Sequence, residues 1–521
     1  MKKALSLILC ALIIVLIFVS CAETNGTEQS SGAVSVADDK TAEVTEDASE
    51  PETSSEYVPN IYTGDAYRGR TFTIFTVYDS KEHVSEFVYN EEATETMITE
   101  SVNLAIKNRN INVYDALGVE VKEVYFGSDW RMGGNALAKI REVLSSDENE
   151  MNAMSLGLYD CGVLTLEHAF YDLNSLDNLD LTNPWWEQFF NESVKMGEAV
   201  YFTIGDIGFE NKGYTPCVFY NTRLINDLGL EDPIRIAEAG KWTIDNALEY
   251  SRSYCSDTEG PEGIDFNDNF GWAGQYDDMY SMLYGAGSRI LSRGNDGMPV
   301  LTLNTETTIG TVTKILNFMN DDSYICANDY FYMTSNPLAL LEQAFEEGRC
   351  LFYSSAICTA VALDMDDVFG ILPVAKYTED QEDYYSLINT WCTNALCIGS
   401  NLTREEAEFS AAVLDVMGYY SWIQYPDSLA FNYYEKMLKN QKLPREDSEA
   451  MLDLIFKARG CEVGSIYRIG AISGTVAVND MLAQLIASKK TDGFTAMYDT
   501  YSGVFENDVQ TLINMIKEGQ E

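Results

Sequence analysis

Apolar and polar positions follow two different periods along the first part of the chain. Residues 70–78 alternate and are rich in β-branched and aromatic side chains, which predicts a strand. Residues 98–117 carry apolar side chains at helical spacing, and Gly118 predicts the end of that helix because a residue beyond the last turn often takes positive φ. The pattern then predicts a second strand at residues 119–125, a helix at 133–144 and a third strand at 159–164. Strands that alternate with helices over short connections are typical of a doubly wound α/β domain.

Residues 217–252 hold the densest set of local signals in the chain. Their opening apolar run predicts a short buried strand, after which Asn221 or Thr222 can cap a helix. Gly229 predicts the end of that helix, and Thr243 is expected to cap the next one. From the residues alone, the stretch also fits an ordinary helical hairpin of any α/β domain.

The order strand, helix, loop, Trp-Thr and helix in residues 217–252 resembles one known group. This group is the carbohydrate-type extracellular solute-binding proteins, which feed ABC importers and are relatives of the maltose-binding protein. Residues 241–245 (Lys-Trp-Thr-Ile-Asp) match that family's signature, and three further elements resemble residues 268–290, 344–353 and 369–375. The resemblance implies an α/β fold of the two-lobed, periplasmic-binding-protein-like kind, with discontinuous lobes and a hinge.

Each lobe of that fold is built from two separate stretches of chain. The resemblance implies a first lobe from residues 67–205 and 390–460, and a second lobe from residues 206–389 and 461–521. Crossing strands would join the two lobes. Ligands in such arrangements lie between the lobes, and hinge closure around them is the expected motion.

The N-terminus has the form of a secretory signal. Lys2 and Lys3 precede a short apolar run, which ends at Ser20 and Cys21. Residues 18–21 (Phe-Val-Ser-Cys) resemble a bacterial lipobox, although Phe stands where Leu is usual. We therefore expect a signal peptide at residues 1–20 and lipid on Cys21, with a plain secreted protein as the alternative.

Residues 21–66 are predicted to form a disordered tether, because a stretch rich in Ser, Thr, Glu and Asp buries too little apolar surface to fold. No later segment approaches the ~20 consecutive apolar residues of a spanning helix. The expected location is the extracellular face of the cell membrane, held by the lipid anchor alone.

Charge excludes several classes of partner. The chain has 34 Lys and Arg against 82 Asp and Glu, a net charge of −48, which repels nucleic acid and anionic lipid. Eleven cysteines include Cys10 in the signal and Cys21 at the anchor. The nine that remain are odd in number and scattered, so a disulfide framework is not expected.

Motifs for catalysis and metal binding are weak. Neither His83 nor His168 lies in a recognisable motif, and the calcium-loop spacing that starts at Asp265 has Phe270 in place of its glycine and Tyr276 in place of its glutamate. We predict no catalytic residue, no metal and no cofactor, and therefore no enzyme. The chain has 82 Asp and Glu residues, and no local pattern singles out a pair of carboxylates for glycoside cleavage. A surface enzyme acting on polysaccharide therefore stays open as an alternative. A surface module for sensing or adhesion also stays open.

Aromatic side chains are abundant, with 32 Tyr, 23 Phe and 7 Trp. Aromatic rings stack on the apolar faces of sugars, while polar groups bind the hydroxyls. The pair Trp185–Trp186 fits either packing or such a platform. We expect the protein to bind a carbohydrate, to act as a monomer and to deliver the sugar to ABC permease subunits. The residues expected to line the cleft are Tyr78, Asp206, Trp272, Tyr276, Tyr353 and Trp391.

Overall fold

The computed structural model describes residues 60–78, 84–91, 98–127, 134–146, 151–258, 260, 263–422 and 426–520. The predicted signal peptide, Cys21, His83 and most of the predicted tether lie outside these residues. Within them the chain forms two main β-sheets surrounded by helices, which confirms the α/β fold class with two lobes.

The described strands fall into two main sheets and two small two-stranded ones. They are β1 (Thr71–Tyr78), β2 (Glu120–Gly127), β3 (Ala153–Gly157), β4 (Pro216–Asn221), β5 (Phe270–Gly274), β6 (Leu291–Arg293), β7 (Pro299–Leu301), β8 (Tyr324–Cys326), β9 (Cys350–Ala356), β10 (Phe369–Leu372), β11 (Ser386–Leu387), β12 (Asn394–Cys397) and β13 (Arg459–Gly460).

The helices in the described part of the chain lie between these strands and after them. They are α1 (Glu100–Leu117), α2 (Asn135–Ser145), α3 (Leu158–Leu166), α4 (Gln188–Val194), α5 (Glu210–Gly213), α6 (Thr222–Asp227), α7 (Pro233–Glu238), α8 (Ile244–Ser253), α9 (Asp278–Gly285), α10 (Glu306–Met319), α11 (Pro337–Glu346), α12 (Arg404–Trp422), α13 (Ser448–Lys457), α14 (Val463–Ile466), α15 (Val478–Ala487) and α16 (Phe494–Gln520). A π-helical stretch spans Phe431–Lys442.

The first sheet has the strand order β12-β3-β1-β2. β1 runs parallel to both β2 and β3, with Phe75 opposite Val124 on one side and Met154 on the other. β12 runs antiparallel to β3. α1 packs against β2 and α12, so the long helix that begins at Arg404 belongs to this lobe. The first lobe is therefore completed by a strand and a helix that come more than 200 residues later in the chain.

The second sheet has the strand order β10-β4-β9-β5-β8. β5 runs parallel to β8 and β9, whereas β4 runs antiparallel to β9 and β10. α8 and α11 pack against β5, and α11 also packs against β9. These strands come from one continuous stretch of chain.

Local signals in residues 217–252 act as predicted. The Asn221 side chain accepts the backbone N–H of Leu224 at 3.1 Å and caps α6. Thr243 caps α8 through a reciprocal capping box with Asn246. Gly229 has a φ of 66°, the left-handed conformation that glycine takes without strain.

The predicted third strand at residues 159–164 is wrong, because these residues belong to helix α3. The strand is β3, which comes just before it and is buried along its whole length between β1 and β12. Periodicity cannot separate a short apolar run in a strand from one in a buried helix. The run at 159–164 is apolar because α3 is packed against α14 and α16.

The C-terminal helices contact both lobes. α14 and α16 pack against α3, and α16 also packs against α10 and β7. α13, which the predicted boundaries place in the first lobe, contacts α7 and β10 of the second. The residue limits of the lobes stay predictions. Among the described helices, none has the length and apolar content needed to cross a membrane.

Candidate functional site

The carboxyl edge of the first sheet is where the chain returns from the second lobe. The parallel strands β1 and β3 end at this edge, at Tyr78 and Gly157. β12 begins there, because Asn394 lies opposite Gly157 in the antiparallel register. Residues 389–393, which we call the return crossing, therefore lie beside the ends of two parallel strands.

The second sheet has the same arrangement around the outgoing connection. β5 and β9 run parallel and end at Gly274 and Ala356. β4 begins at that edge, because Pro216 lies opposite Ala356. Residues 205–215, the outgoing crossing, thus join the carboxyl edges of the two sheets. Ligands of open α/β sheets bind outside carboxyl strand ends, so the space between these edges is the candidate site.

Tyr78 lies at the end of β1 and is tied to the outgoing crossing. Its hydroxyl donates to Glu86 Oε2 at 3.3 Å. Glu86 Oε1 accepts the backbone N–H groups of Phe209 and Glu210, at 2.5 Å and 2.7 Å, at the start of α5. Burial, together with the negative charge of Glu86, raises the pKa of Tyr78 well above its ordinary value. Tyr78 is therefore a buried, neutral phenol where β1 ends.

Asp206 lies within the outgoing crossing. Its carboxylate accepts a hydrogen bond from the Lys212 ammonium at 2.7 Å, in an ion pair whose side chains are mostly buried. Its backbone N–H donates to the Trp185 carbonyl at 2.8 Å. The Asp206 carboxylate therefore holds the start of the outgoing crossing to Lys212 in α5.

Trp391 lies in the return crossing and is partly buried. Asn389 Oδ1 accepts the backbone N–H groups of Trp391 and Cys392 at 2.9 Å and 3.1 Å, which fixes the turn. The indole meets the Tyr159 ring edge-on, with centroids 6.1 Å apart. Tyr159 is a candidate site residue that the sequence did not indicate, because the pattern predicts a strand that begins at Tyr159, whereas this residue lies in the first turn of α3.

Tyr159 also reaches the C-terminal segment. Asn479 Nδ2 lies 3.1 Å from its hydroxyl and 2.8 Å from Ser465 Oγ. Burial raises the pKa of Tyr159 to about 12. The aromatic pair at the return crossing is therefore bounded by residues from the last part of the chain.

Tyr276 lies just beyond the end of β5. Its backbone N–H donates to Asn328 Oδ1 at 2.8 Å, and its hydroxyl lies 3.4 Å from Asp329 Oδ1. Asp329 also accepts a hydrogen bond from Lys489 at 2.8 Å. The ring is partly exposed at the edge of the second sheet.

Trp272 and Tyr353 lie inside the second sheet on opposite faces. Trp272 is 1% exposed, stacks on Phe352 with centroids 5.0 Å apart, and donates its indole N–H to Ser354 Oγ at 2.9 Å. Tyr353 is 2% exposed, and its hydroxyl lies 3.4 Å from Glu342 Oε2 on α11. The structure thus places the partly exposed Tyr276 and Trp391, and the buried Tyr78, at the carboxyl edges of the two sheets. The other two rings are buried within the second sheet.

A cavity enters the second lobe beside Trp272. Its polar wall includes Asp278, in the first turn of α9, and Ser354 on β9. The Tyr324 hydroxyl donates to Asp278 Oδ2 at 2.7 Å. Burial raises the pKa of Asp278 to about 7, against the opposing effect of its hydrogen bonds with Tyr324, the Gln275 N–H and Ser354. The full lining is Pro216, Cys217, Val218, Ile244, Ala247, Trp272, Asp278, Ser281, Met282, Phe318, Ser354, Ser355, Val374 and Ala375.

The pair Trp185–Trp186 serves packing. The two side chains are 1% and 2% exposed, and both indole N–H groups donate to Asp415 Oδ1 at 2.9 Å. Asn183 Nδ2 lies 3.3 Å from the other carboxylate oxygen. Neither ring is available to a ligand in the cleft.

Metal-binding geometry does not occur in the described part of the chain, where no three His, Cys, Asp or Glu side chains are grouped closely enough to hold an ion. The nine cysteines described there are free thiols, and six of them are buried.

Comparison with known proteins shows the fold. No family model and no curated protein matches the sequence. The cyclic alpha-maltosyl-1,6-maltose binding protein from Arthrobacter globiformis has a TM-score of 0.53 at 13% identity, covering 86% of this chain and 99% of that chain. An ABC substrate-binding protein from Listeria monocytogenes in complex with cycloalternan has a TM-score of 0.51 at 11% identity, with the same coverage of 86% and 99%.

A third solved structure, UgpB from Mycobacterium tuberculosis in complex with glycerophosphocholine, has a TM-score of 0.51 at 14% identity and covers 78% of this chain and 95% of that chain. The first two are binding proteins by name, and the third holds a small molecule in its complex. At these identities the likeness concerns architecture, so the chain has the two-lobed fold of these three proteins.

Proposed function

We propose that the protein captures a carbohydrate between its lobes as the solute-binding component of an ABC importer. The observation that carries the proposal is the joining of two carboxyl sheet edges by two crossings, in a fold that covers 86% of the chain in comparison with a cycloalternan-bound protein. The edges leave Tyr276 and Trp391 partly exposed, with the buried Tyr78 at the end of β1, and tyrosine and tryptophan suit a ligand with apolar faces and hydroxyl groups.

The class of ligand rests on two arguments. Two of the three similar structures bind cyclic oligosaccharides, and the third binds glycerophosphocholine, so all three ligands carry hydroxyl groups. The net charge of −48 disfavours polyanions. A neutral sugar or oligosaccharide satisfies both arguments, and binding without a chemical step is the proposed activity.

The proposed location is the extracellular face of the cell membrane, with lipid on Cys21 as the anchor, permease subunits as partners and a monomeric state. Replacing Cys21 by Ala should release the protein into the medium, because the acyl chains are its only hold on the membrane. Membrane-bound Cys21→Ala protein would contradict the anchor. Ser20→Ala, which keeps the cysteine, is the matched control.

Thermal unfolding in the presence of candidate ligands tests the function. Maltose, maltotetraose, a cyclodextrin, glycerophosphocholine, amino acids and a mixed peptide pool would each be added to the mature protein. A ligand at 100 times its Kd stabilises the folded state by about 2.7 kcal/mol, which is readily seen as a shift in Tm. Stabilisation by amino acids or peptides and by none of the sugars would contradict the proposal.

A further inference from the structure

The cavity in the second lobe is built around a network of side-chain hydrogen bonds. The Trp272 indole N–H donates to Ser354 Oγ, and Ser354 is itself hydrogen-bonded to Asp278. Tyr324 donates to the same carboxyl group at 2.7 Å. Gly274 leaves room for this network, because a Cβ there would overlap both Asp278 Oδ2 and the Tyr324 hydroxyl. One end of the cavity is therefore polar and held in a fixed geometry.

The remaining walls are apolar. Trp272 packs edge-on against Phe318 with centroids 5.0 Å apart, and Ala247, Met282 and Val374 complete the lining. The space holds about one or two water molecules. A sugar ring is too large for it. A hydroxymethyl group, with one carbon and one hydroxyl, is small enough for the cavity. Its hydroxyl suits the polar end and its carbon suits the apolar walls.

The lining residues differ in exposure from one end of the cavity to the other. Ser281 and Ser355 are partly exposed, whereas Trp272 and Ser354 at the inner end are buried. Pro216 is the first residue of β4, where the outgoing crossing enters the second sheet. The partly exposed lining residues Pro216 and Ser355 thus place the open end of the cavity at the carboxyl edge of the second sheet, the edge that borders the candidate site.

We propose that this cavity is a subsite that takes the hydroxymethyl group of a hexose bound between the lobes. Asp278 and Ser354 bind its hydroxyl, and the apolar walls contact its carbon. This inference rests on the proposed capture of carbohydrate and narrows it to sugars that carry a free hydroxymethyl arm. Burial raises the pKa of Asp278 to about 7, so near neutral pH the carboxyl group can donate or accept the hydrogen bond.

The first test probes the cavity without a sugar. Ethylene glycol, a small molecule with hydroxymethyl groups, is titrated into protein labelled with ¹³C at the methionine methyls. Met282 lines the cavity and is the reporter, and Met154 in the first sheet is the internal control. We expect a saturable shift of the Met282 signal, assigned with Met282→Leu, and no saturable shift of Met154.

Ala247→Val adds two methyl groups to the cavity wall at a residue outside the hydrogen-bond network. If Ala247→Val fails to fold, Ser281→Val fills the cavity from its partly exposed end instead. In the filled variant, the affinity for ethylene glycol read from the Met282 signal should fall at least tenfold. Absence of a saturable response in the wild type, or its survival in the filled variant, would overturn the proposal.

The second test compares sugars that differ only in hydroxymethyl groups. Glucose is paired with xylose, and cellobiose with xylobiose, in titration calorimetry. A pocket that hydrogen-bonds a ligand hydroxyl rejects the analogue that lacks it, so we expect the hexose member to bind at least tenfold tighter. Ala247→Val should bring the two affinities together by weakening the hexose alone.

The outcomes separate the two proposals. Sugar binding with no hexose preference, or with a preference that persists in Ala247→Val, overturns the subsite and leaves carbohydrate capture intact. Failure of every sugar, together with a saturable ethylene glycol response, overturns carbohydrate capture and retains the cavity as a site for a hydroxymethyl group.

Discussion

Asp415 makes the stability of the first lobe depend on pH. The residue lies on α12 with no exposed surface and accepts hydrogen bonds from the indoles of Trp185 and Trp186. Burial raises its pKa from 3.8 to about 7, although the bonds from Trp186, Trp185 and Asn183 act in the opposite direction. Asp415→Asn removes the ionisation and keeps a carbonyl oxygen that can accept from both indoles.

The direction of the effect follows from the raised pKa. The folded state holds the proton more tightly than the unfolded chain, so the stability from Asp415 is fully present below pH 3.8 and is lost as the pH rises through about 7. A difference of about three in pKa, at 1.36 kcal/mol for each unit, corresponds to about 4 kcal/mol. Relative to wild type, Asp415→Asn should therefore gain up to about 4 kcal/mol between pH 4 and pH 8.

Urea unfolding, followed by tryptophan fluorescence at several pH values, measures this difference. Asp499→Asn is the matched control, because Asp499 is exposed on α16 and its replacement should leave the pH profile parallel to that of the wild type. If Asp415→Asn also gives a parallel profile, the carboxyl group has the same pKa in the folded and unfolded protein, because the hydrogen bonds from the two indoles offset the effect of burial. That result would refute the role assigned to burial.

Three further changes test other parts of the structure. Gly274→Ala should lower the Tm by several degrees because its Cβ would overlap Asp278 and Tyr324, whereas Gly503→Ala, in an open helical position, should leave the Tm unchanged or raise it. Trp391→Ala should weaken ligand binding by about 2 kcal/mol or more while the protein stays folded, since the indole is only partly buried; wild-type affinity in calorimetry would remove Trp391 from the site. Small-angle scattering should show a smaller radius of gyration with a saturating ligand, and an unchanged profile would count against closure between the lobes.

Sequence patterns predicted the elements whose causes are local. α1 ends before Gly118 with φ 67°, and α8 begins at a Thr243 capping box, because both depend on residues within one turn. The strand predicted at 159–164 failed for a non-local reason. α3 is buried against helices that come some 300 residues later, so its apolar residues follow that packing rather than a strand period.

The candidate site was predictable only in part. Tyr78 is the last residue of β1 and Tyr276 comes just after β5, and the sequence pattern can locate such positions. Trp272 is an interior residue of β5, and nothing in its neighbours distinguishes a ring that packs from a ring that lines a cavity. Asp278 was missed because its setting depends on Tyr324 and Ser354, which are distant in sequence and meet only in the folded sheet.

Two buried charged residues, Glu86 and Arg109, hold the first part of the outgoing crossing by hydrogen bonds. Glu86 holds the start of α5 through two backbone N–H groups, and Arg109 donates to the carbonyls of Ile207, Glu86 and Phe87 at 2.8 to 3.0 Å. Both residues belong to the segment between β1 and the end of α1, so this part of the crossing is attached to the first lobe.

The later part of the outgoing crossing is also held by a buried side chain. Arg459 is fully buried, donates to the Asn211 carbonyl at 2.9 Å and pairs with Glu187 at 2.5 Å. Since Glu187 precedes α4 on the first-lobe side, α5 is held by Arg459 as well as by Glu86. We therefore expect a closing motion to concentrate where β4 begins at Pro216 and in the turn before Asn394. Those are the two places where the candidate site and the mouth of the second-lobe cavity meet the crossings.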